Sequence, residues 1–377
     1  MKSRALLVVV FLAFLVLIIA LSGAVFGQSS ESKSRYLIKS NDSMLKSKFG
    51  ILHEFNAGFT AELTSKQAME LKKNNVQIEE IYQYKLLDSQ ASSASFGCSP
   101  KSSIPWGIKK MNGGSGGKGI NIAIIDTGVN KYHNDLKANI KLCVDTSKPG
   151  KRIVLGCSDA NGHGTHVAGI VAANGGRGKG IYGVAPQANL FIIKAGSNNF
   201  WSDDVAEGIK YATDKGANII SLSLGSSHKS IVEKEAIDYA VSKGVLVIAA
   251  AGNSGPDSNS ITYPAAYKEV VSVAAIDENG NVASFSSRGL NDGDYIKEDR
   301  EIEFSAPGVN IESTYRSCYA TLSGTSMAAP HIAGLAAKLW QGSAESTRSY
   351  LDSLAKLHDL GIPGDDKEAG FGLPVAP

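Results

Sequence analysis

Apolar residues fall into three patterns along the chain. Residues 5–20 form an unbroken apolar run. Residues 36–84 contain short stretches where apolar and polar positions alternate. From residue 121 onward, continuous apolar segments of strand length recur between amphipathic ones. Alternation predicts strands with one wet face, whereas unbroken runs of six to eight residues predict strands buried on both faces, as in a parallel sheet. In the alternating zone YLIKS, GFTAEL and VQIEEIYQY predict three strands. There Thr64-Ser65-Lys66-Gln67 has the capping-box pattern, which predicts a helix through Ala68, Met69 and Leu71 to Asn74-Asn75. In the later zone INIAIID, NLFIIKA, ANIISLSL and GVLVIAAA predict buried strands. Between them Asp203–Lys215, with Val205, Ile209 and Ala212 on one face and Gly216 as its stop, predicts a helix. Ile231–Lys243 before Gly244 predicts another. Strands alternating with helices imply an α/β class: a doubly wound, mostly parallel sheet flanked by helices, preceded by a small α+β domain. Chemistry on such a sheet belongs at the carboxyl ends of the strands.

The same patterns divide the chain. MKSR, the apolar run and then SGAVFG read as a secretory signal over residues 1–27, although the run is also long enough to be an uncleaved membrane anchor. The small α+β domain occupies 28–87. Residues 88–103, DSQASSASFGCSPKSS, lack an apolar face and predict an exposed, cleavable linker, leaving 104–377 as the large domain. Lys and Arg number 38 against 36 Asp and Glu, and no basic tract interleaves with aromatics, so a nucleic-acid partner is not expected. Export permits disulfides. Cys143 and Cys157 flank the turn-like SKPGKR, and a disulfide between them is expected over metal binding, with two free thiols as the alternative. The states of Cys98 and Cys318 stay open.

Three motifs carry chemistry. Asp126 is the first polar residue after INIAII; His163 opens the small-residue helix HGTHVAGIVAA; Ser326 in SGTSMAAPH opens an almost wholly apolar helix. A serine hydroxyl is a weak nucleophile at neutral pH. It needs an imidazole to take its proton and a carboxylate to orient that imidazole. The segments DTG, HGTHVAG and GTSMAAP, in the order acid, base, nucleophile, resemble the subtilisin family of serine proteases.

That resemblance implies an exported endopeptidase working through an acyl-enzyme on Ser326. His163 is its general base and acid, and Asp126 orients His163. Asn253 in AAAGNSG joins the Ser326 N–H in the oxyanion hole. His166 is expected to be structural. Ser223-Leu224-Gly225 and Ala250-Ala251-Gly252 would be the two walls of the primary specificity pocket. Thr262 would raise its floor against bulky aromatic side chains, and Trp201, after Phe200, would border a more distant subsite or pack in the core.

The resemblance also makes the small domain an intramolecular inhibitor and folding aid that is removed by self-processing. The partners are then this propeptide and protein or peptide substrates, with a membrane only if the N-terminal segment stays uncleaved. No cofactor is required. Several relatives hold calcium through a loop after the His helix. Here that loop reads NGGRGKG, with Arg177 and Lys179 beside the matching Asp135, so no calcium is expected at it, while a site elsewhere stays open. Two other functional readings remain. One is a non-catalytic binding or chaperone protein on the same scaffold. The other is a zymogen locked by a Cys98–Cys318 disulfide that ties the linker across the site.

Overall fold

The structure is a computed structural model that describes residues 32–87, 96–148, 150 and 153–377. The expected signal over 1–27 lies outside the described residues. Among the described residues no helix is long and apolar enough to cross a membrane.

The large unit is built on an eight-stranded sheet. In spatial order its strands are Phe304–Pro307, Val271–Ile276, Leu246–Ala250, Ile219–Leu222, Asn121–Asp126, Asn189–Lys194, Ile140–Asp145 and Val154–Leu155. All neighbouring pairs are parallel except the last, in which Val154–Leu155 returns antiparallel along the edge. The unbroken apolar runs have a direct cause in this arrangement. Ile122 and Ile124 face one apolar cluster while Ala123 and Ile125 face the other, and the same division separates Leu190 and Ile192 from Phe191 and Ile193. Both faces of the central strands are covered, so both sets of alternate positions are predominantly apolar, with buried Ser221 and Ser272 as exceptions. Helices His163–Ala172 and Thr325–Lys338 pack on one face, and helices Ser202–Asp214 and Ile231–Ser242 on the other.

Three of the parallel strands, Ile140–Asp145, Val271–Ile276 and Phe304–Pro307, are absent from the sequence reading. VVSVAAI is an apolar run like the others. EFSAP carries Glu303 and Ser305, both fully buried, which hides its strand character.

The small unit is a four-stranded antiparallel sheet, Glu54–Phe55, Gly58–Thr64, Lys33–Ile38 and Ile78–Glu80, with helices Ser43–Phe49 and Ser65–Lys73. The capping box forms: the Thr64 N–H donates to Gln67 Oε1 at 2.9 Å, and the Gln67 N–H donates to Thr64 Oγ1 at 3.2 Å. The first helix, capped by Asp42 at 2.7 Å, was not anticipated, because its exposed Met44 leaves it without a clear apolar stripe.

The expected strand VQIEEIYQY is two strands. Ile78–Glu80 closes the small sheet. Gln83–Leu86 then leaves it and lies between Asn199–Trp201 and Leu224–Gly225 of the large unit, antiparallel to both. The linker expectation also needs correction. Residues 88–95 lie outside the described residues, but Phe96–Gly97 pairs with Cys318–Leu322 and Cys98 is bonded to Cys318. Residues 96–103 therefore belong to the large unit rather than to a loose connection.

Candidate active site

Asp126 ends the central strand Asn121–Asp126 and is buried. Its Oδ1 accepts the Thr127 N–H at 2.7 Å and faces His163 Nδ1 at 2.8 Å, with Oδ2 at 3.0 Å from the same nitrogen. The approach requires a glycine beside His163. A Cβ on Gly164 would stand 2.2 Å from the Gly128 carbonyl and 3.0 Å from Asp126 Oδ1.

The helix that carries His163 starts where it does because of Asp159, which the sequence reading missed. Its Oδ1 accepts the Gly162 N–H at 2.7 Å, and its Oδ2 accepts the Thr165 N–H at 2.9 Å and the Thr165 hydroxyl at 2.6 Å. A carboxylate at this point satisfies backbone donors that the first helical turn leaves unpaired, and it suits the helix dipole. The available signal was an acid four residues before HGTH. Buried Lys194, also missed, ties the two catalytic loops together by donating to the Thr127 carbonyl at 2.8 Å and the Ser158 carbonyl at 3.1 Å.

His166 is fully buried, and its Nε2–H is shared between the carbonyls of Ile311 and Ala320 at 3.1 and 3.0 Å. Burial first, and repulsion from the other histidines, pulls its pKa down to about 3, so it stays neutral. It joins the His163 helix to the hairpin Ile311–Leu322.

Ser326 lies in the first turn of Thr325–Lys338. Its Oγ donates to the Ser223 carbonyl at 3.0 Å, and Ser223 Oγ donates back to the Ser326 carbonyl at 2.9 Å. The Ser326 N–H donates to the carbonyl of Leu87 at 3.1 Å. Asn253 stands on the same side. Its Oδ1 accepts from the Thr325 N–H at 3.0 Å and the Thr325 hydroxyl at 2.8 Å, which fixes the amide and leaves its buried Nδ2 with no acceptor.

The segment ending at Leu87 fills the cleft. Leu86 and Lys85 pair with Leu224 and Gly225; Lys85, Tyr84 and Gln83 pair with Asn199, Phe200 and Trp201. Leu87 is buried, and the two segments expected as pocket walls meet Thr262. A Cβ at Gly225 would stand 2.6 Å from Thr262 Oγ1, and one at Gly252 would stand 3.0 Å from Thr262 Cγ2. Ala250 and Ala251 are fully buried. Trp201 pairs with Gln83 beside the strand in the cleft, and the Arg35 guanidinium of the small unit lies over its ring at 4.9 Å.

Cys143 and Cys157 are joined. Cys98–Cys318 is also formed, but the residue presented to Ser326 is Leu87, well before Cys98 in the chain. The cross-link that the locked-zymogen reading calls for is thus present, and it ties Cys98 to the hairpin Ile311–Leu322 that precedes Ser326.

Comparison with known proteins agrees with this geometry. Residues 117–372 match the model of the subtilase family. A subtilisin from Bacillus sp. (strain TA39) is 40% identical over 380 residues, covering 90% of each chain. Among solved structures, the S41 psychrophilic protease is 45% identical with a TM-score of 0.69, over 74% of this chain and 99% of that one. Fervidolysin from Fervidobacterium pennivorans is 27% identical with a TM-score of 0.73, over 92% of this chain and 61% of that one. The chain belongs to the subtilase family and is a subtilisin-like serine endopeptidase acting on proteins or peptides.

Proposed function

We propose that the protein is made as an exported, self-processing zymogen that cuts itself after Leu87 and then hydrolyses other polypeptides at the same centre. The observation that carries this reading is the Ser326 N–H on the Leu87 carbonyl at 3.1 Å, with residues 83–86 paired as a strand on both sides. A carbonyl held this way by a backbone donor at a helix N-terminus is in the position of an electrophile awaiting attack.

Ser326 Oγ attacks that carbonyl as its proton passes to Nε2 of His163. The Asp126 carboxylate holds Nδ1–H and stabilises the imidazolium. Negative charge developing on the Leu87 oxygen is met by the Ser326 N–H and by the free Nδ2 of Asn253. Imidazolium then protonates the departing nitrogen of Asp88, and water hydrolyses the acyl-enzyme by the same proton path in reverse.

After the cut, residues 32–87 stay bound by their strand and by charged contacts and act as an inhibitor. The leucine before the cut suits a pocket whose small walls close on Thr262. Export is supported by the order of basic, apolar and small residues at the N-terminus and by the two disulfides.

The mechanism needs no metal. In the loop after the His163 helix, Asp135 Oδ2 already accepts from the Ile181 N–H and the Tyr319 hydroxyl, both at 2.9 Å, leaving only Oδ1 uncommitted. One such oxygen near Lys179 falls short of the six to eight that calcium requires. We therefore propose no calcium at that loop.

Intact masses of wild type and Ser326→Ala, both expressed without residues 1–27, test the central claim. Wild type is expected to divide at Leu87–Asp88 and hydrolyse casein, while the variant stays whole and inert. An unprocessed, inactive wild type would refute self-processing.

A further inference from the structure

Alternation along the central strands sends Ile122 and Ile124, and likewise Leu190 and Ile192, to the face that carries the His163 helix. Continued by two residues, it places Asp126 and Lys194 together on that face, as register partners at the carboxyl ends of neighbouring parallel strands. An ammonium is costly there, because the site is only 9% exposed. Tying loops does not by itself require the charge. The Thr127 and Ser158 carbonyls, at 2.8 and 3.1 Å from Nζ, would be served equally by a neutral amide donor. Among the described residues no carboxylate touches Lys194, so the charge is not there to complete an ion pair either.

The groups around it show what the charge faces. Burial lowers the Lys194 pKa, Asp145, Asp159 and Asp126 act to raise it, and Lys148 adds to the lowering. Asp145 has a second cation, the Lys148 ammonium at 3.5 Å. Asp126 and Asp159 have no lysine or arginine in contact among the described residues, and both border His163. Asp126 lies against Nδ1, while Asp159 holds the N–H groups of Gly162 and Thr165 on either side of His163. Asp159 also accepts the Thr127 hydroxyl at 2.9 Å, and Thr127 Oγ1 accepts the Gly164 N–H at 2.8 Å. His166, one turn on, is held neutral by burial and adds no charge. Two carboxylates beside one imidazole favour the imidazolium, which cannot take a proton from Ser326.

We propose that Lys194 is a positioning residue for the catalytic base: it joins the turn after Asp126 to the turn before His163, and its charge offsets Asp126 and Asp159 so that His163 stays a neutral base at neutral pH. It acts through His163 and not on the substrate. The sign follows directly. Removing the cation favours the imidazolium, so the acid limb of kcat/KM, below which the base is protonated, moves to higher pH. Removing the Asp159 charge moves it the other way.

The test follows hydrolysis of succinyl-Ala-Ala-Pro-Leu-p-nitroanilide from pH 5 to pH 9 by enzyme activated from the full chain, with active centres counted by fluorophosphonate. Lys194→Gln, which keeps a donor without the charge, and Lys194→Met are expected to move the acid limb up by about half to one pH unit, lowering kcat/KM roughly three- to tenfold at pH 5 and far less at pH 9. Lys194→Arg keeps the charge and should leave the limb at its wild-type position, whatever the altered fit does to the melting temperature. Asp159→Asn, whose side chain can still cap the helix, should move the limb down. A limb that stays in place in Lys194→Gln, or moves as far in Lys194→Arg, overturns the proposal and leaves Lys194 a structural tie. Where a Lys194 variant does not fold, Asp159→Asn decides: an unmoved limb there means that the balance of charges does not reach His163, and the proposal fails.

Discussion

The two units of this chain hold themselves together by different means. The catalytic unit covers both faces of a parallel sheet with separate apolar clusters. The small unit's own core is Ile38, Phe59, Ala61, Leu63, Ala68 and Leu71 with a few partly buried neighbours. Its other well-buried residues, Leu37, Ile81 and Tyr84, belong to a cluster of the catalytic unit. A domain of this size buries a small share of its surface and is marginal alone. The small unit is thus folded partly by its partner, and loss of docking should also cost it structure. The charged side chains tell the same story. Arg35 Nη1 lies 2.9 Å from both Asp203 and Asp204, and His53 Nε2 lies 2.8 Å from Asp204, all of them buried between the units.

The largest effect should come from a substitution that changes chemistry and leaves the catalytic unit folded. Asp126→Asn is expected to lower kcat by about 10⁴, since the imidazole loses its orienting anion. Its thermal transition should stay close to that of wild type. A large fall in melting temperature would mean that Asp126 holds up the fold and would weaken the division between a self-sufficient unit and a dependent one.

Arg35→Ala attacks the dependent unit. It leaves Asp203 and Asp204 buried with one cation fewer, and truncating one member of such a group costs roughly 2–5 kcal/mol. Residues 32–87 should then bind the processed enzyme at least thirtyfold more weakly, read as an inhibition constant, and lose helical circular dichroism when free. Unchanged inhibition would show that the strand at 83–87 alone accounts for docking.

The pH dependence of docking sharpens the same point. Burial pulls the His53 imidazole down, but the hydrogen bond to Asp204 and the charges of Asp203, Asp204 and Glu207 outweigh it, and its pKa ends above the ordinary value. Burial likewise raises Asp204. Both shifts mean that the docked state binds protons more tightly. For His53 the contribution is fully present below the ordinary imidazole range and is lost as pH rises through the raised value, by at most tenfold in affinity per pH unit for one proton. His53→Gln should flatten the dependence above pH 6. A dependence that His53→Gln leaves intact would point to Asp204 instead.

Legibility in the sequence followed from how local each cause is. The parallel strands, the helix stops at Gly216 and Gly244, and the triad motifs are written in contiguous residues, and the structure brings Asp126 and His163 into contact. The small unit was read only in part. Leu37 and Tyr84 alternate as strand residues should, but their burial depends on a surface more than a hundred residues away. The break at Ile81-Tyr82 has no turn signal, because what ends the strand is capture of the next residues by the cleft. Glu233 and Asp203 sit in first helical turns, where acids usually serve the dipole in water. For Asp203, only the docked Arg35 reveals a second use.

The smallest effect isolates local from borrowed stability. Thr64 and Gln67 close both ends of their capping box at 2.9 and 3.2 Å without contacting the catalytic unit through those side chains. Thr64→Ala removes the threonine acceptor and should cost about 1 kcal/mol. If docking and folding are one process, that loss must appear almost in full as a fivefold weaker inhibition constant, since a unit that is largely unfolded when free pays for the missing cap on binding. If the free unit were already folded, the cap would be absent equally from the free and bound states, and the inhibition constant would not move. Measured against Arg35→Ala, which acts at the interface in either case, this one hydroxyl separates a domain that docks from a domain that folds by docking.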